Sequence, residues 1–182
     1  MLTARIHPGE SNSSFVMRGA IEFLTSDCAE AKLLRQNFVF KIVPMINVDG
    51  VINGNYRCSL SGIDLNRAWK APHATLFPEI FAIKKMVDQF NKEYPVVLFT
   101  DMHGHSRARK TFMYGNNYYH SPEISRLFPY IFSKVSDQFS YPKCKFSNSR
   151  TKEGTSRVSL WRILRIPAVY TLETSLCGGS PD

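Results

Sequence analysis

The stretch VVLFTDMH, residues 96–103, runs from apolar residues into an aspartate and a histidine. Apolar runs rich in Val and Phe predict a strand that is buried on both faces, as in a parallel sheet. Two further runs of this kind are FVFKIVPMI, residues 38–46, and AVYTLETSL, residues 168–176. The sequence therefore predicts three buried strands, and the middle one carries polar residues at its carboxyl end.

Apolar residues with helical spacing mark the segments around these strands. The predicted helices are FVMRGAIEFL (15–24), AEAKLLRQN (29–37), PEIFAIKKMVDQF (78–90), SPEISRLFPYIFSKVSDQF (121–139) and SRVSLWRILR (156–165). The fourth segment is predicted to be helical despite Pro129, which lies inside it and is a potential break point. Helices that alternate with buried strands predict an α/β fold, here a three-layer α/β/α domain with a mixed, largely parallel central sheet.

Length and composition limit the class of protein. With 182 residues, 43% of them apolar, the chain is long enough for one globular domain with a core. We find no apolar run of about 18 residues and no secretory signal, so we expect an intracellular protein without a membrane partner. The cysteines form no C-x-x-C pair, so reduced and mostly buried thiols are expected at Cys28, Cys58, Cys144 and Cys177.

The net charge of +8 favours an acidic partner. The only dense basic cluster, residues 107–110, is not accompanied by a helix-turn-helix, RNP or zinc-finger pattern. We therefore expect no nucleic-acid partner, and a compact acidic substrate suits the charge equally well.

Two short motifs contain candidate metal ligands. His7-Pro8-Gly9-Glu10 places a histidine and a glutamate three residues apart in a turn, and DMHGH, residues 101–105, follows a predicted strand. Ligands in open α/β sheets bind beyond the carboxyl ends of strands. A catalytic zinc site takes about three N or O ligands, and His₂Glu is one of the known sets. His7, Glu10 and one histidine of DMHGH would form such a set.

Six blocks in order carry a resemblance that covers nearly the whole chain: RIHPGESNSS, VPMINVDGVINGNYRCSLSGIDLNRAW, DMHGHSR, FMYGN, KEGTSRVSLWR and YTLETSLCGG. They resemble the cytosolic carboxypeptidases, the tubulin-deglutamylase branch of the zinc metallocarboxypeptidases. The resemblance implies one zinc ion held by His7, Glu10 and His103, because the family places its last ligand directly after the strand-ending Asp-x pair. His105 then either lines the pocket or bonds a neighbouring loop.

The resemblance also implies roles for four further residues. A guanidinium holds a carboxylate with two parallel hydrogen bonds, and Asn66-Arg67 matches the family's pair for the substrate's C-terminal carboxylate. Arg57, in the long loop after N-x-D-G, matches the arginine that stabilises the oxyanion. Glu173 matches the general base, and an ionised glutamate in an apolar strand is costly unless it is paired or functional.

Members of this branch remove glutamates from acidic protein tails, including those of polyglutamylated tubulin, and this resemblance implies the same substrate class here. The basic residues nominated to meet acidic side chains are Arg107, Arg109, Lys110, Lys152 and Arg157. Arg157 is preferred, because it precedes the strand that ends at the site. A cytoplasmic location, at microtubules or cilia, is the corresponding expectation.

The chain departs from the family's pattern at its ends. The family carries further strands and a β-sandwich domain upstream of the first ligand, and a final helix after the base. Residues 1–182 are therefore expected to be a catalytic core cut at both ends. The alternative is an inactive fragment that binds acidic tails through its basic surface.

Overall fold

A mixed sheet of six strands forms the centre of the computed structural model, which describes residues 1–176. The strands are β1 (Leu2–Ala4), β2 (Ile42–Val43), β3 (Leu98–His105), β4 (Phe112–Gly115), β5 (Lys145–Phe146) and β6 (Ala168–Ser175). Their order across the sheet is β2-β1-β3-β6-β4-β5. Neighbouring strands are parallel except for β4 and β6, so the predicted mixed, largely parallel sheet is confirmed.

Helices cover both faces of this sheet. They are α1 (Asn12–Thr25), α2 (Ala29–Asn37), α3 (Val48–Ile52), α4 (Pro78–Glu93), α5 (Glu123–Val135) and α6 (Ser156–Leu164). One apolar core packs α4 and α6 around Phe99, and a second packs α1 and α5 around Met102 and Tyr170. Because successive side chains of a strand point to opposite faces, β3 and β6 contribute to both cores. The three-layer α/β/α prediction is confirmed.

The pairing of β3 with β6 brings the predicted chemistry together. These two eight-residue strands run in a register that sets His103 beside Glu173. Parallel strands end at the same edge of a sheet, so the loop after β1 reaches the same place.

The first predicted strand is much shorter than predicted. Of residues 38–46 only Ile42 and Val43 are in a strand, and Phe38 and Val39 are exposed. In the described part of the sheet β2 is an outer strand that pairs with β1 alone. Pro44, which has no N–H to donate, follows it directly. The interpretation as a strand buried on both faces was therefore wrong.

The helix that contains Pro129 does not break. Proline lacks the N–H that would donate to the carbonyl oxygen four residues earlier, which is that of Ser125. The hydroxyl of Tyr170 in β6 donates to this oxygen over 2.9 Å instead. The tertiary contact thus supplies the hydrogen bond that the sequence lacks.

Three of the four cysteines are described, and their free state agrees with the prediction. Cys28, Cys58 and Cys144 are half-buried, so the prediction of buried thiols was wrong for them, while Cys177 lies outside the described residues. None of the described helices is both long and apolar enough to cross a membrane.

Candidate active site

The turn after β1 carries His7 and Glu10 at the carboxyl edge of the sheet. The backbone N–H of Glu10 donates to the carbonyl oxygen of His7 over 3.2 Å. Arg5 braces the turn, because its Nε and Nη2 donate to the carbonyl oxygen of Pro8 over 3.1 and 2.8 Å. Sequence reasoning missed Arg5, whose left-handed backbone (φ 54°) leaves no pattern in the sequence.

Three predicted ligands converge in space. Nδ1 of His7 lies 2.8 Å from Oε1 of Glu10, and Nδ1 of His103 lies 3.1 Å from Oε2 of the same carboxylate. The two imidazole Nδ1 atoms are 3.2 Å apart. Both rings are almost fully buried. The structure therefore brings together two nitrogen donors and a carboxylate from segments nearly 100 residues apart in sequence, 96 residues separating the two histidines.

Each histidine is held by a second carboxylate on its far side. Nε2 of His7 lies 3.0 Å from Oδ1 of Asp64, and Nε2 of His103 lies 2.9 Å from Oδ2 of Asp101. Ligand histidines commonly bond a carboxylate through the nitrogen that does not face the metal. Neither aspartate was predicted to support a ligand, although Asp101 belongs to the DMHGH motif and Asp64 to the long loop that contains Arg57.

Asp101 is the centre of a buried hydrogen-bond network. It is fully buried, and it accepts hydrogen bonds from the hydroxyls of Thr3, over 2.7 Å, and Ser156, over 2.9 Å. These donors hold the carboxylate in the orientation that bonds His103. The network joins β1, β3 and the start of α6.

The protonation of the cluster reflects this crowding of carboxylates. Burial alone lowers the pKa of His103, but the negative charge of Asp101 and hydrogen bonds to Asp101 and Glu10 raise it well above its usual range. Burial raises the pKa of Glu10, yet its hydrogen bonds to His103 and His7 outweigh burial and lower it. The electrostatics therefore favour a cation among the ligand atoms.

The donor set fits zinc. His₂Glu is a known catalytic zinc set, and carboxylates on the outer nitrogens of both histidines are the usual support for it. The possible ligand atoms of His7, Glu10 and His103 all lie within 4.8 Å of one another. These three residues would hold the metal, with Asp64 and Asp101 behind them.

Replacing Asp101 tests this support. We expect Asp101→Asn to weaken zinc binding by about 10–100-fold, because the amide holds the imidazole of His103 less firmly and makes it a weaker donor. The measurement is a zinc competition titration against a chromophoric chelator. Asp88→Asn, at a partly exposed aspartate paired with Lys92 on α4, is the matched control and should not change affinity. Equal affinity of both variants and the parent would contradict the assignment.

Glu173 projects from β6 towards this cluster and lines the same cavity, which has a volume of about 490 Å³. Burial raises its pKa to about 7, with the charges of Glu10 and Asp101 adding to the rise and His103 and His7 opposing it. Its carboxylate makes no hydrogen bond or ion pair with residues 1–176. A half-buried carboxyl group with a pKa near neutrality can exchange protons with a substrate.

The predicted arginines and Asn66 also gather at the cavity, around Asp64. Arg57 donates to Oδ2 of Asp64 through Nε over 2.9 Å, and its Nη2 lies 2.7 Å from the same oxygen. Arg67 lies 3.8 Å from that oxygen, and Nη1 donates to the carbonyl oxygen of Asn66. Asp64 also accepts from the backbone N–H of Asn66, which shapes the 3₁₀ turn Leu65–Arg67. One aspartate thus orients both arginines and His7.

The amide of Asn66 is largely used inside the protein. Its Oδ1 accepts from the backbone N–H of Ser156 over 3.1 Å, and Nδ2 lies 3.4 Å from Nε2 of His103. Asn66 is 5% exposed, so only a small part of it can reach a substrate. Its predicted role in carboxylate binding stays a prediction.

Both roles left open for His105 are visible. Its Nδ1 accepts from the backbone N–H groups of Arg107 and Ala108 over 3.1 and 2.9 Å, and the residue also lines the cavity.

Of the basic residues nominated for acidic side chains, Lys152 and Arg157 line the described cavity, whereas Arg107, Arg109 and Lys110 lie outside its lining.

Arg157, near the start of α6, lines the same cavity as the two histidines. It is 5% exposed, and its Nη1 donates to the carbonyl oxygens of Gly115 and Ser147 and to Oδ1 of Asn116. Burial lowers its pKa to about 10, so the guanidinium remains charged at neutral pH. Among residues 1–176 no carboxylate forms an ion pair with it.

The chain is similar to known carboxypeptidases. A family model described as zinc carboxypeptidase matches residues 1–178. Cytosolic carboxypeptidase 2 of Danio rerio is 47% identical over 184 residues, which cover 99% of this chain and 25% of that protein. Cytosolic carboxypeptidase 2 of Mus musculus is 48% identical over 184 residues, with 99% and 21% covered. This chain therefore spans about a quarter or less of these relatives.

The fold is shared with solved metallocarboxypeptidases. The crystal structure of the metallo-carboxypeptidase from Burkholderia cenocepacia superimposes with a TM-score of 0.83 at 25% identity, over 96% of this chain and 47% of that chain. The family match, the relatives and the shared fold agree with the resemblance of the six sequence blocks. The convergence of His7, Glu10 and His103 agrees with it as well. This chain belongs to the zinc carboxypeptidase family.

Proposed function

We propose that the protein is a zinc-dependent metallocarboxypeptidase that removes C-terminal or side-chain glutamates from acidic protein tails, such as those of polyglutamylated tubulin. The proposal includes one zinc ion in the His7, Glu10 and His103 site. It also places the protein in the cytoplasm, at microtubules or cilia, where such tails occur. The family membership and the relatives named cytosolic carboxypeptidases support the reaction class.

The chain's own residues divide the work of peptide hydrolysis. A zinc ion in this site supplies Lewis-acid chemistry and a lower pKa for water. Glu173 accepts the proton of the attacking water and returns it to the departing amine. Arg57 donates to the oxyanion through Nη1, which has no partner among the described residues, while Asp64 fixes its other nitrogens.

The position of the substrate depends on the loop that contains Arg57, Asn66 and Arg67. Arg67 has a half-exposed side chain at the cavity, which suits it to hold a terminal carboxylate, with Asn66 beside it. The free C-terminus would then lie next to Arg57 and Glu173. This arrangement favours removal of the last residue of a chain over internal cleavage.

The buried guanidinium of Arg157 is the observation that carries the acidic preference. A buried charge is costly unless an opposite charge or several hydrogen bonds compensate it. Only Nη1 of Arg157 has partners in residues 1–176, and Nε and Nη2 have none. A glutamate side chain entering the cavity would supply the missing carboxylate. Lys145 and Lys152 line the same cavity and add positive charge.

The first experiment compares two peptides of equal length, one ending in several glutamates and one ending in glutamines. The zinc-supplemented protein is incubated with each, and loss of C-terminal residues is followed by mass spectrometry beside a chelated sample. A hydrogen bond to a charged group contributes about 1.5–3 kcal/mol, so we expect at least about 10-fold higher kcat/KM for the glutamate peptide. Equal rates would remove the acidic preference, and binding without hydrolysis would favour the inactive-fragment alternative.

Replacing Arg157 should abolish that preference. We expect Arg157→Leu to lower kcat/KM for the glutamate peptide by at least about 10-fold, with a much smaller change for the glutamine peptide, because only the charged substrate loses its partner. Arg157→Lys, which keeps the charge, should restore part of the preference. Arg107→Leu, outside the cavity lining, is the control. Thermal unfolding of each variant separates a lost contact from lost folding.

A further inference from the structure

Asn12, the first residue of α1, joins three of the chain segments that carry the site, namely the ligand turn, β3 and β6. It lies two residues after Glu10 in the ligand turn. Its Nδ2 donates to the carbonyl oxygen of Thr174 in β6, the residue next to Glu173. Its amide also packs against Gly104 in β3, the residue next to His103. One side chain therefore contacts the neighbours of both a metal ligand and the candidate base.

Gly104 provides the space for this contact. A Cβ atom placed on Gly104 would collide with the side chain of Asn12, and its three nearest heavy atoms would all belong to Asn12. The backbone N–H of Gly104 meanwhile donates to Oε2 of Glu10 over 2.8 Å. The absence of a side chain at residue 104 thus lets the start of α1 approach the ends of β3 and β6.

The contact of Asn12 with β3 and β6 leaves buried polar atoms without hydrogen-bond partners. Oδ1 of Asn12 and Oγ1 of Thr174 are both buried without a hydrogen-bond partner in the described chain. Buried polar atoms without partners are unfavourable, and an apolar side chain of similar size would avoid leaving Oδ1 unpaired. What the amide provides is a directional bond from the ligand turn to the strand that carries Glu173.

We propose that Asn12 is a positioning residue that fixes Glu173 relative to the ligand set. The bond to Thr174 holds the β6 backbone beside Glu173. Because Asn12 lies only two residues after Glu10, the same bond fixes the distance between Glu173 and the ligand turn. This inference rests on the proposed hydrolytic function for its kinetic test. Asn12 itself does not contact the reacting atoms.

The kinetic test uses Asn12→Ala and Asn12→Asp, the second of which keeps the volume but lacks the N–H donor. A displacement of about 1 Å at a reacting group can cost about 100-fold in rate. We therefore expect kcat to fall about 10–100-fold in both variants, with KM and zinc affinity unchanged, because substrate and metal are held by other residues. Asn91→Asp, which removes a comparable side-chain donor to the carbonyl oxygen of Leu164, is the control.

A double mutant isolates the contact. Gly104→Ala should lower kcat in the parent protein, because its methyl group displaces the amide of Asn12. In the Asn12→Ala background the same substitution should have little further effect, because the atoms that it meets are gone. An equal loss in both backgrounds would overturn the proposal, as would parental kcat in Asn12→Asp or a loss explained by lower zinc occupancy.

Hydrogen exchange tests the inference separately from activity. In the metal-free protein, Asn12→Ala should speed amide exchange over residues 173–176 while β3 residues 98–101 keep their parental rate. If the parent hydrolyses no peptide, the proposed function fails, and the exchange result still decides on Asn12. Unchanged exchange at the end of β6 would overturn the positioning role.

Discussion

Glu173→Gln should abolish peptide hydrolysis while zinc binding and the fold are retained. The amide has nearly the same shape as the carboxyl group but cannot accept a proton from water. General acid–base catalysis contributes about 100- to 10,000-fold, so kcat should fall by that factor with little change in KM. The raised pKa of Glu173, about 7, shows a group whose surroundings favour proton exchange near neutrality.

The assay for this variant is steady-state hydrolysis of the glutamate peptide, with zinc content and thermal unfolding measured on the same samples. Glu22→Gln, at an exposed glutamate paired with Arg18 on α1, is the matched control and should keep parental kcat. Because the carboxylate of Glu173 has no partner in residues 1–176, its removal breaks no described hydrogen bond. Undiminished turnover in a zinc-loaded Glu173→Gln protein would exclude Glu173 from the mechanism.

Removal of zinc should eliminate hydrolysis and lower thermal stability together. The Nδ1 atoms of His7 and His103 lie 3.2 Å apart beside one carboxylate, an arrangement that a cation stabilises. A ligand present at about 1,000 times its Kd stabilises the folded state by about 4 kcal/mol. Since 1 kcal/mol moves Tm by about 2–4 °C in a domain of this size, chelation should lower Tm by about 10 °C.

We would measure Tm by calorimetry and activity by peptide hydrolysis at three stages: before chelation, after chelation and after zinc is restored. Both Tm and activity should return with zinc in the parent protein. In His103→Ala they should not, because one ligand and its bond to Asp101 are lost. His120→Ala, at an exposed histidine, should behave like the parent. Hydrolysis that survives complete removal of metal would refute the metallocarboxypeptidase proposal.

The two central strands and every described α-helix except α3 could be predicted, because their signals are local; α3 lies in a stretch that was interpreted as a loop. The amphipathic spacing of α1 and α4 and the apolar runs of β3 and β6 each lie within one short stretch. β2 was predicted too long, because its apolar residues resemble a central strand although it lies at the outside of the described sheet. The short strands β4 and β5 were missed, because they are defined by their pairing.

The residues of the candidate site also fall into two groups, those that could be predicted from the sequence and those that could not. His7, Glu10 and one histidine of DMHGH could be named from motifs whose residue types suit metal binding. The choice of His103 and the roles of Glu173 and Arg57 came from the resemblance to the family. Asp64 and Asp101 were missed as supports, because nothing in the sequence shows that an aspartate accepts a hydrogen bond from a given histidine. Asn12 was missed for the same reason, since its partner Thr174 is 162 residues away.

The sequence by itself determined the fold class, because side-chain type and short-range spacing are written directly in it, and its six ordered blocks determined the family and the candidate site residues through their resemblance to known members. Tertiary structure alone decided that His7 and His103 face one carboxylate, that Asp64 and Asp101 hold their outer nitrogens, and that Arg157 is buried without an acidic partner in residues 1–176. These facts depend on distances between atoms of remote segments. Burial and mutual charge, which set protonation and metal affinity, arise only when the chain has folded.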